Sequence, residues 1–200
     1  MEGDDLKVIG DSKSEYSQHW EEMSDRLRKG GSLSGRERNC AFLNLNGSRF
    51  ATISELSGFD FPDDSRSLAL VDWDADGRMD VWVSNRTAPR VRFLKNALES
   101  SGGWIQLGLE EDGLLDPIGA RVELTLTNGK KLLRTLRAGE GFLGQNSRYL
   151  HFGLGDQEMN SIRVRWVDGV WQRLVPPKSG ARYIVHRKDG KMTKVEVAGD

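Results

Sequence analysis

Residues 67–83 read Ser-Leu-Ala-Leu-Val-Asp-Trp-Asp-Ala-Asp-Gly-Arg-Met-Asp-Val-Trp-Val, two apolar stretches on either side of a short acidic segment. The acidic segment, Asp72–Asp80, holds four carboxylates and one glycine within nine residues. The flanking stretches are rich in the branched aliphatic and aromatic residues that favour β-strands. The pattern therefore predicts a strand, an acidic loop and a second strand.

The acidic loop, as we call residues Asp72–Asp80, has the spacing of a calcium-binding loop. Its carboxylates repel one another unless a cation holds them, and Ca²⁺ takes about six to eight oxygen ligands. Gly77 permits the positive φ that so sharp a turn requires. The predicted ligands are the side chains of Asp72, Asp74, Asp76 and Asp80 and the backbone carbonyl of Arg78.

The acidic loop differs from an EF-hand, because that motif places a bidentate Glu at its twelfth position and the residue here is Val83. One alternative is a solvated acidic turn that binds nothing. Catalytic use of the acids is a separate hypothesis, and no second ligand cluster or positioned base follows nearby in the sequence. Calcium binding is the interpretation that the spacing favours.

The composition indicates a turn-rich β protein. The chain has 200 residues, enough for one domain or two small ones, and contains 23 glycines and six tryptophans. Its formal net charge of -1 argues against a dedicated polyanion binder. No apolar run approaches the length of a transmembrane span.

Two further features bear on the cellular compartment. Cys40 is the only cysteine, so no intrachain disulfide can form. Residues 1–7 lack both the basic region and the apolar core of a signal peptide. We therefore expect either a cytoplasmic protein or an incomplete version of a longer exported one.

One amphipathic helix is predicted near the N-terminus. Four large residues repeat at helical intervals between Tyr16 and Leu27, which predicts a helix over residues 13–29 with a packing face. The residues before it, 1–11, are expected to be disordered. These elements make up the first predicted segment, residues 1–35.

After residue 39 the helical period disappears and short alternating strands follow, which predicts an all-β fold. The clearest hairpin turns at Asn128-Gly129. A two-residue turn at that position would place Leu124 opposite Leu133 on the buried face.

A glycine motif at residues 139–144 matches the dinucleotide-binding fingerprint G-x-G-x-x-G. That fingerprint functions only between a strand and a helix whose N-terminus meets the pyrophosphate. The chain has no alternation of strands and helices at this point. We therefore predict a glycine-rich turn.

Several stretches, in order, resemble a known family. Phe42-Leu-Asn44 and the acidic loop with the following Val81–Asn85 resemble an FG-GAP or VCBS-type repeat, the calcium-bearing blade of integrin-like propellers. Residues 117–169 look like the ASPIC/UnbV domain that follows such repeats in the cartilage acidic protein family. The matching pieces are Ile118–Val122, Ala138–Phe142, Leu150–Gly155 and Val164–Gly169.

The resemblance implies an all-β chain with one N-terminal helix: residues 36–100 form one blade-like FG-GAP/VCBS repeat and residues 101–200 a small antiparallel UnbV-like domain. Propellers need about four to eight blades, and a lone blade leaves open sheet edges. Self-association through these edges is therefore one expectation. The resemblance also implies a location in the cell envelope or outside the cell.

The leading hypothesis is a calcium-stabilised, non-enzymatic β module that binds a protein or a glycan, as in adhesion. A metal-dependent hydrolase that uses the Asp72–Asp80 cluster on a sugar or phosphate ester is the alternative. A weaker alternative is nucleic-acid binding through the basic C-terminal strands. Alternation puts most of those arginines, such as Arg163 and Arg165, on a solvated sheet face, which makes a nucleic-acid partner unlikely.

Overall fold

The computed structural model describes residues 12–30, 37–99 and 102–196, and the disorder expected for residues 1–11 lies outside this part of the chain. Among the described residues the regular structure is mostly β-strand, with one helix near the N-terminus, which confirms the all-β fold class. The elements are α1 (Ser12–Arg28), β1 (Phe42–Leu45), β2 (Arg49–Thr52), β3 (Ser65–Val71), β4 (Asp80–Asn85), β5 (Val91–Leu94), β6 (Gly103–Glu111), β7 (Leu114–Leu115), β8 (Arg121–Leu126), β9 (Lys131–Thr135), β10 (Leu150–Gly155), β11 (Met159–Arg165), β12 (Trp171–Leu174), β13 (Ala181–His186) and β14 (Met192–Lys194).

The first of two compact units contains α1 and the β1–β2 hairpin, and extends to Ser65 with the short segment Arg86–Pro89. The hairpin pairs Leu45 with Arg49, and its turn is made by residues 46–48, as the sequence pattern predicts. The helix matches the predicted one to within a residue at each end. Its large side chains are not all packed, because the Tyr16 ring remains 65% exposed.

The second unit contains Arg66–Asn85 and the chain from Arg90 onward. One of its sheets has the order β10-β6-β13-β14, with β7 paired to β6, and another has the order β12-β11-β8-β9. The third is the three-stranded sheet β3-β4-β5, whose central strand follows the acidic loop. Strands β6 and β13 run parallel, and the other registered pairs are antiparallel.

The two larger sheets share one apolar core. Alternating residues of β6 (Ile105, Leu107) and of β8 (Val122, Leu124) are fully buried, as a two-sheet core requires. Trp166 lies in the same cluster, and its indole Nε1 donates a hydrogen bond of 2.8 Å to Gln172 Oε1. The buried polar end of the tryptophan is therefore satisfied.

The β8–β9 hairpin corrects one predicted register. Leu124 faces Leu132 rather than Leu133, because the loop has three residues instead of two. Leu126 and Lys130 close the loop, and Gly129 within it adopts a φ of 83°. Three-residue hairpin loops end in such a left-handed residue, so the glycine selects the longer loop.

The strands expected to form one blade-like repeat lie in two separate sheets: β1 with β2, and β3 with β4 and β5. The division into residues 1–35, 36–100 and 101–200, like the blade itself, stays a prediction. Across the described residues, no helix is both long enough and apolar enough to span a membrane.

Candidate metal site

The acidic loop connects β3 to β4, in the strand–loop–strand arrangement that the sequence predicts. Three carboxylates converge there: those of Asp72, Asp74 and Asp80 each place an oxygen within 4.8 Å of the others. Asp72 and Asp80 are buried, whereas Asp74 is exposed. Hard cations such as Ca²⁺ prefer such oxygen ligands, so the donor set fits the predicted ion.

The Asp80 carboxylate is held in place by backbone amides. Its Oδ1 accepts a hydrogen bond of 2.8 Å from the Asn96 amide, and its Oδ2 accepts one of 3.0 Å from the Trp73 amide. Each oxygen retains acceptor capacity for a further ligand. Asp80 thereby ties β4 to the loop and to the chain after β5.

The Asp72 carboxylate is only half satisfied. Its Oδ2 accepts hydrogen bonds from the Gly77 amide at 3.0 Å and from Gln106 Nε2 at 2.7 Å. Its Oδ1 is buried and has no hydrogen-bond partner among the described residues. A buried acceptor without a partner costs about 1–3 kcal/mol, and more when it is charged. A bound ion or water molecule is a common partner of such an atom in a folded protein.

The pKa values of two acids respond to these surroundings in opposite directions. Burial raises the pKa of Asp72, and it outweighs the opposing hydrogen bond from Gly77 and the positive charge of Arg182. The hydrogen bond from Lys95 lowers the pKa of Asp74, and the two charged atoms lie 2.6 Å apart. The loop therefore buries two carboxyl groups, those of Asp72 and Asp80, while Lys95 pairs with the exposed Asp74.

Asp76 does not join the three converging carboxylates. Its Oδ1 accepts a hydrogen bond of 2.8 Å from the Arg78 amide, and its other oxygen pairs with the Arg78 guanidinium. The structure thus brings together three of the four carboxylates predicted as ligands and places the fourth against Arg78. The role of the Arg78 carbonyl as a ligand stays a prediction.

Position 77 requires a glycine for two reasons, its positive φ and the close approach of a neighbouring tryptophan ring. Its φ is 86°, and a Cβ at this position would collide with the indole of Trp104. That indole in turn stacks with the His151 ring at 6.4 Å between centroids and 19° between planes. The acidic loop therefore packs directly on β6.

Gln106 and Arg182 are part of the site although the sequence pattern did not single them out. Gln106 is buried, donates to Asp72 Oδ2 and accepts a hydrogen bond of 2.8 Å from Arg182 Nε. Arg182 Nη2 donates to the Asp72 carbonyl at 3.1 Å, and its guanidinium lies 4.4 Å from the Tyr149 ring centroid. The one available signal was a glutamine between Ile105 and Leu107 in an apolar strand.

The glycine motif of residues 139–144 lies between β9 and β10, with no helix after it, which confirms a turn. A Cβ on Gly144 would collide with the Ser67 hydroxyl. Leu70 donates its amide to Asn146 Oδ1 at 2.8 Å and accepts the Ser147 amide at 2.7 Å. The segment after the turn therefore bonds to β3, the strand that leads into the acidic loop.

Two basic residues in and beside the C-terminal strands have acidic and aromatic neighbours. Arg163 forms a bidentate pair with Glu123 and lies 4.3 Å from the Trp171 ring centroid. Arg187 pairs with both Glu111 and Asp168. These contacts neutralise positive charge that a nucleic acid would need.

Part of the chain is similar to known proteins. The family model described as ASPIC and UnbV matches residues 113–192, so this region is similar to that family. Cartilage acidic protein 1 of Xenopus tropicalis is 29% identical over 103 residues, which are 50% of this chain and 16% of that protein. The proteins of the same name from Mus musculus and Homo sapiens are each 28% identical over 102 residues.

The chain therefore spans about a sixth of the length of the curated relatives it matches. The acidic loop at residues 72–80 precedes the region that the family model covers. Arg182, by contrast, lies within that region, so the candidate metal site joins the matched segment to the part of the chain before it.

Proposed function

We propose that this chain is a calcium-stabilised, non-enzymatic β module that binds a protein or a glycan. Asp72, Asp74 and Asp80 hold the ion, and the strand–loop–strand around them is an FG-GAP/VCBS-type element. The similarity to the ASPIC and UnbV model and to cartilage acidic protein 1 supports a non-enzymatic module. The role of the ion is to hold β3 and β4 against β6.

The observation that carries the proposal is the buried Asp72 Oδ1, which lacks a donor among the described residues. Three carboxylates with oxygens within 4.8 Å of one another carry up to three negative charges. A divalent cation removes most of that repulsion and gives the orphan oxygen a partner. The raised pKa of Asp72 has the same origin, because burial penalises its charged form.

The predicted ligands differ in their hydrogen-bond contacts. Asp74 lies with the cluster, whereas both carboxylate oxygens of Asp76 accept hydrogen bonds from Arg78. The replacement Asp74→Ala should therefore remove more of the calcium effect than Asp76→Ala does. This pair of variants separates the described arrangement from a loop in which all four acids contribute equally.

The test is thermal unfolding in millimolar Ca²⁺ and in chelator. An ion at about 100 times its dissociation constant stabilises the folded state by about 2.7 kcal/mol. We expect the wild-type midpoint to rise with calcium, the Asp76→Ala midpoint to rise less, and the Asp74→Ala midpoint to rise least. If a double Asp74→Ala/Asp76→Ala variant matches wild type in both conditions, the proposal fails.

A metal-dependent hydrolase is the second candidate, favoured by one observation. Asp74 is exposed, and the adjacent Ala75 lines a groove, so a bound ion could have an open side. Assays with nitrophenyl phosphates and nitrophenyl glycosides in calcium and in magnesium test it. Turnover that Asp80→Asn abolishes would establish the hydrolase, and activity equal in wild type and variant would dismiss it.

A further inference from the structure

A groove of about 430 Å³ lies beside the acidic loop. Ala75 of the loop and Trp104 of β6 form part of its wall, and the chain at Gly180–Arg182 and Lys194–Glu196 completes it. A volume of this order is in the range of small-ligand sites. Most of its exposed lining is polar, which suits a ligand with several hydroxyl groups.

Arg182 is one of the residues that line this groove, and its positively charged side chain is held in one orientation. Its side chain is only 15% exposed and is held by Gln106, by the Asp72 carbonyl and by the Tyr149 ring. Its third guanidinium nitrogen, Nη1, donates to no described residue. A guanidinium held in one orientation loses little entropy on binding, and carboxylates and phosphates are the anions that match its geometry.

Two exposed charges flank Arg182 along the groove, Lys194 and Glu196. With Arg182 they give the lining two positive charges and one negative charge. This balance suits a ligand that carries a single negative charge.

The charge of Arg182 is also linked to the candidate metal site. Its Nη2 lies 4.0 Å from Asp72 Oδ2, so in the absence of an ion Arg182 offsets the buried charge of Asp72. When a cation neutralises Asp72, the positive charge of Arg182 becomes available to another anion. An ion in the loop should therefore strengthen anion binding in the groove.

We propose that the groove binds the carboxylate of an acidic sugar through Arg182 and Lys194, and that Ca²⁺ in the acidic loop strengthens this binding. The linkage rests on the proposed function, because it needs the ion. By thermodynamic reciprocity the sugar must raise the affinity for calcium by the same factor. A coupling of about fivefold or more is expected, which is the usual lower limit for linked sites.

The first experiment titrates glucuronate into the full chain in saturating calcium and in chelator, and follows amide and indole signals by NMR. Methyl glucoside, which lacks the carboxylate, and N-acetylglutamate, which lacks the sugar ring, are the comparison ligands. Glucuronate should bind at least about fivefold more tightly with calcium, and the glucoside should bind more weakly than glucuronate. Equal affinities for glucuronate and the glucoside would overturn the carboxylate assignment. N-acetylglutamate binding as tightly as glucuronate would overturn the sugar assignment.

Two exposed positions supply matched variants that leave the core untouched. Lys194→Gln should weaken glucuronate binding several-fold, and Glu196→Gln should strengthen it, because each change removes one charge from the groove. If both variants bind like wild type, the ligand does not occupy this groove and the inference fails.

Asp72→Asn separates the two proposals. It removes the buried charge without metal, so in chelator it should bind glucuronate about as tightly as calcium-loaded wild type. If wild type binds no calcium, the proposed function fails. The groove inference can still be tested in that case, by comparing the glucuronate affinity of Asp72→Asn with that of wild type. If calcium binds but neither calcium nor Asp72→Asn changes the affinity for glucuronate, only the groove inference fails.

Discussion

The apolar core and the acidic loop are buried in different ways. In the core, residues such as Ile105 and Phe152 lie in one cluster of buried apolar side chains. The loop buries Asp72 and Asp80, and the Asp72 carboxylate keeps one oxygen without a partner among the described residues. The core therefore buries apolar groups against one another, whereas the loop leaves one buried acceptor unpaired among the described residues, as the proposed calcium ion requires.

The largest effect is expected in the core. Replacement of Phe152 by Ala should cost about 3–5 kcal/mol of unfolding free energy, because it leaves a large cavity in a fully buried site. The loss should be the same in calcium and in chelator, measured by chemical denaturation. Val167→Ala, at a position 58% exposed, is the control and should change little.

A loss at Phe152 that depended strongly on calcium would show that the stability of the core depends on the acidic loop. Variants that fail to fold in both conditions would agree with the prediction of a large loss. A conservative Phe152→Leu change keeps the measurement within range in that case.

The second effect concerns Gly77, for which the chain offers a matched control. Gly77 and Gly129 have φ values of 86° and 83°, but a Cβ would collide with Trp104 only at Gly77, and nothing lies within 4 Å at Gly129. Gly129→Ala should cost about 1–2 kcal/mol for the left-handed backbone alone. Gly77→Ala should cost more and should also reduce the calcium-induced rise in the unfolding midpoint.

Equal losses of unfolding free energy in the two variants would mean that Trp104 moves aside for the added Cβ at little cost. An undiminished calcium response in Gly77→Ala would contradict the view that the packing of the loop on β6 sets the geometry of its carboxylates.

The smallest effect is expected at the Glu123–Arg163 pair, which lies outside both regions. The hydrogen bond from Arg163 lowers the pKa of Glu123, so the pair stabilises the fold above the ordinary pKa of a glutamate, about 4.3. This contribution is lost as the pH falls through the lower pKa of the folded state. Glu123→Gln should cost about 0.5–1 kcal/mol at neutral pH and nothing in strong acid.

Unfolding curves of wild type and Glu123→Gln between neutral pH and pH about 3 measure this difference. Curves that diverge as the pH falls, rather than converge, would reverse the sign of the argument. Calcium should not alter the difference between the two proteins, because the pair makes no contact with the loop.

The sequence predicted those features that depend on neighbouring residues. The strands around Asp72–Asp80, the three-residue turn at residues 46–48 and the non-nucleotide turn at residues 139–144 all follow from local periodicity and glycine placement. The β8–β9 register was wrong by one residue, because turns of two and three residues both accept Asn128-Gly129.

The partners of Asp72 could not be predicted in the same way. Gln106 and Arg182 are 34 and 110 residues away from it in the chain, and only the folded sheets bring them together. The position of Asp76 depends on a local competition, since Arg78 offers it both an amide and a guanidinium. The spacing of acidic residues in a sequence names the candidate ligands of an ion. Which of their carboxylates converge depends on contacts that form only in the folded chain.

Native mass spectrometry of wild type and Asp72→Asn tests most directly whether the acidic loop holds one calcium ion. Wild type in calcium should carry one tightly held ion per chain, which chelator removes. Asp72→Asn, which keeps the size of the side chain and removes its charge, should lose that ion. A wild-type spectrum without a specific calcium adduct, or the same adduct in both proteins, would contradict the account.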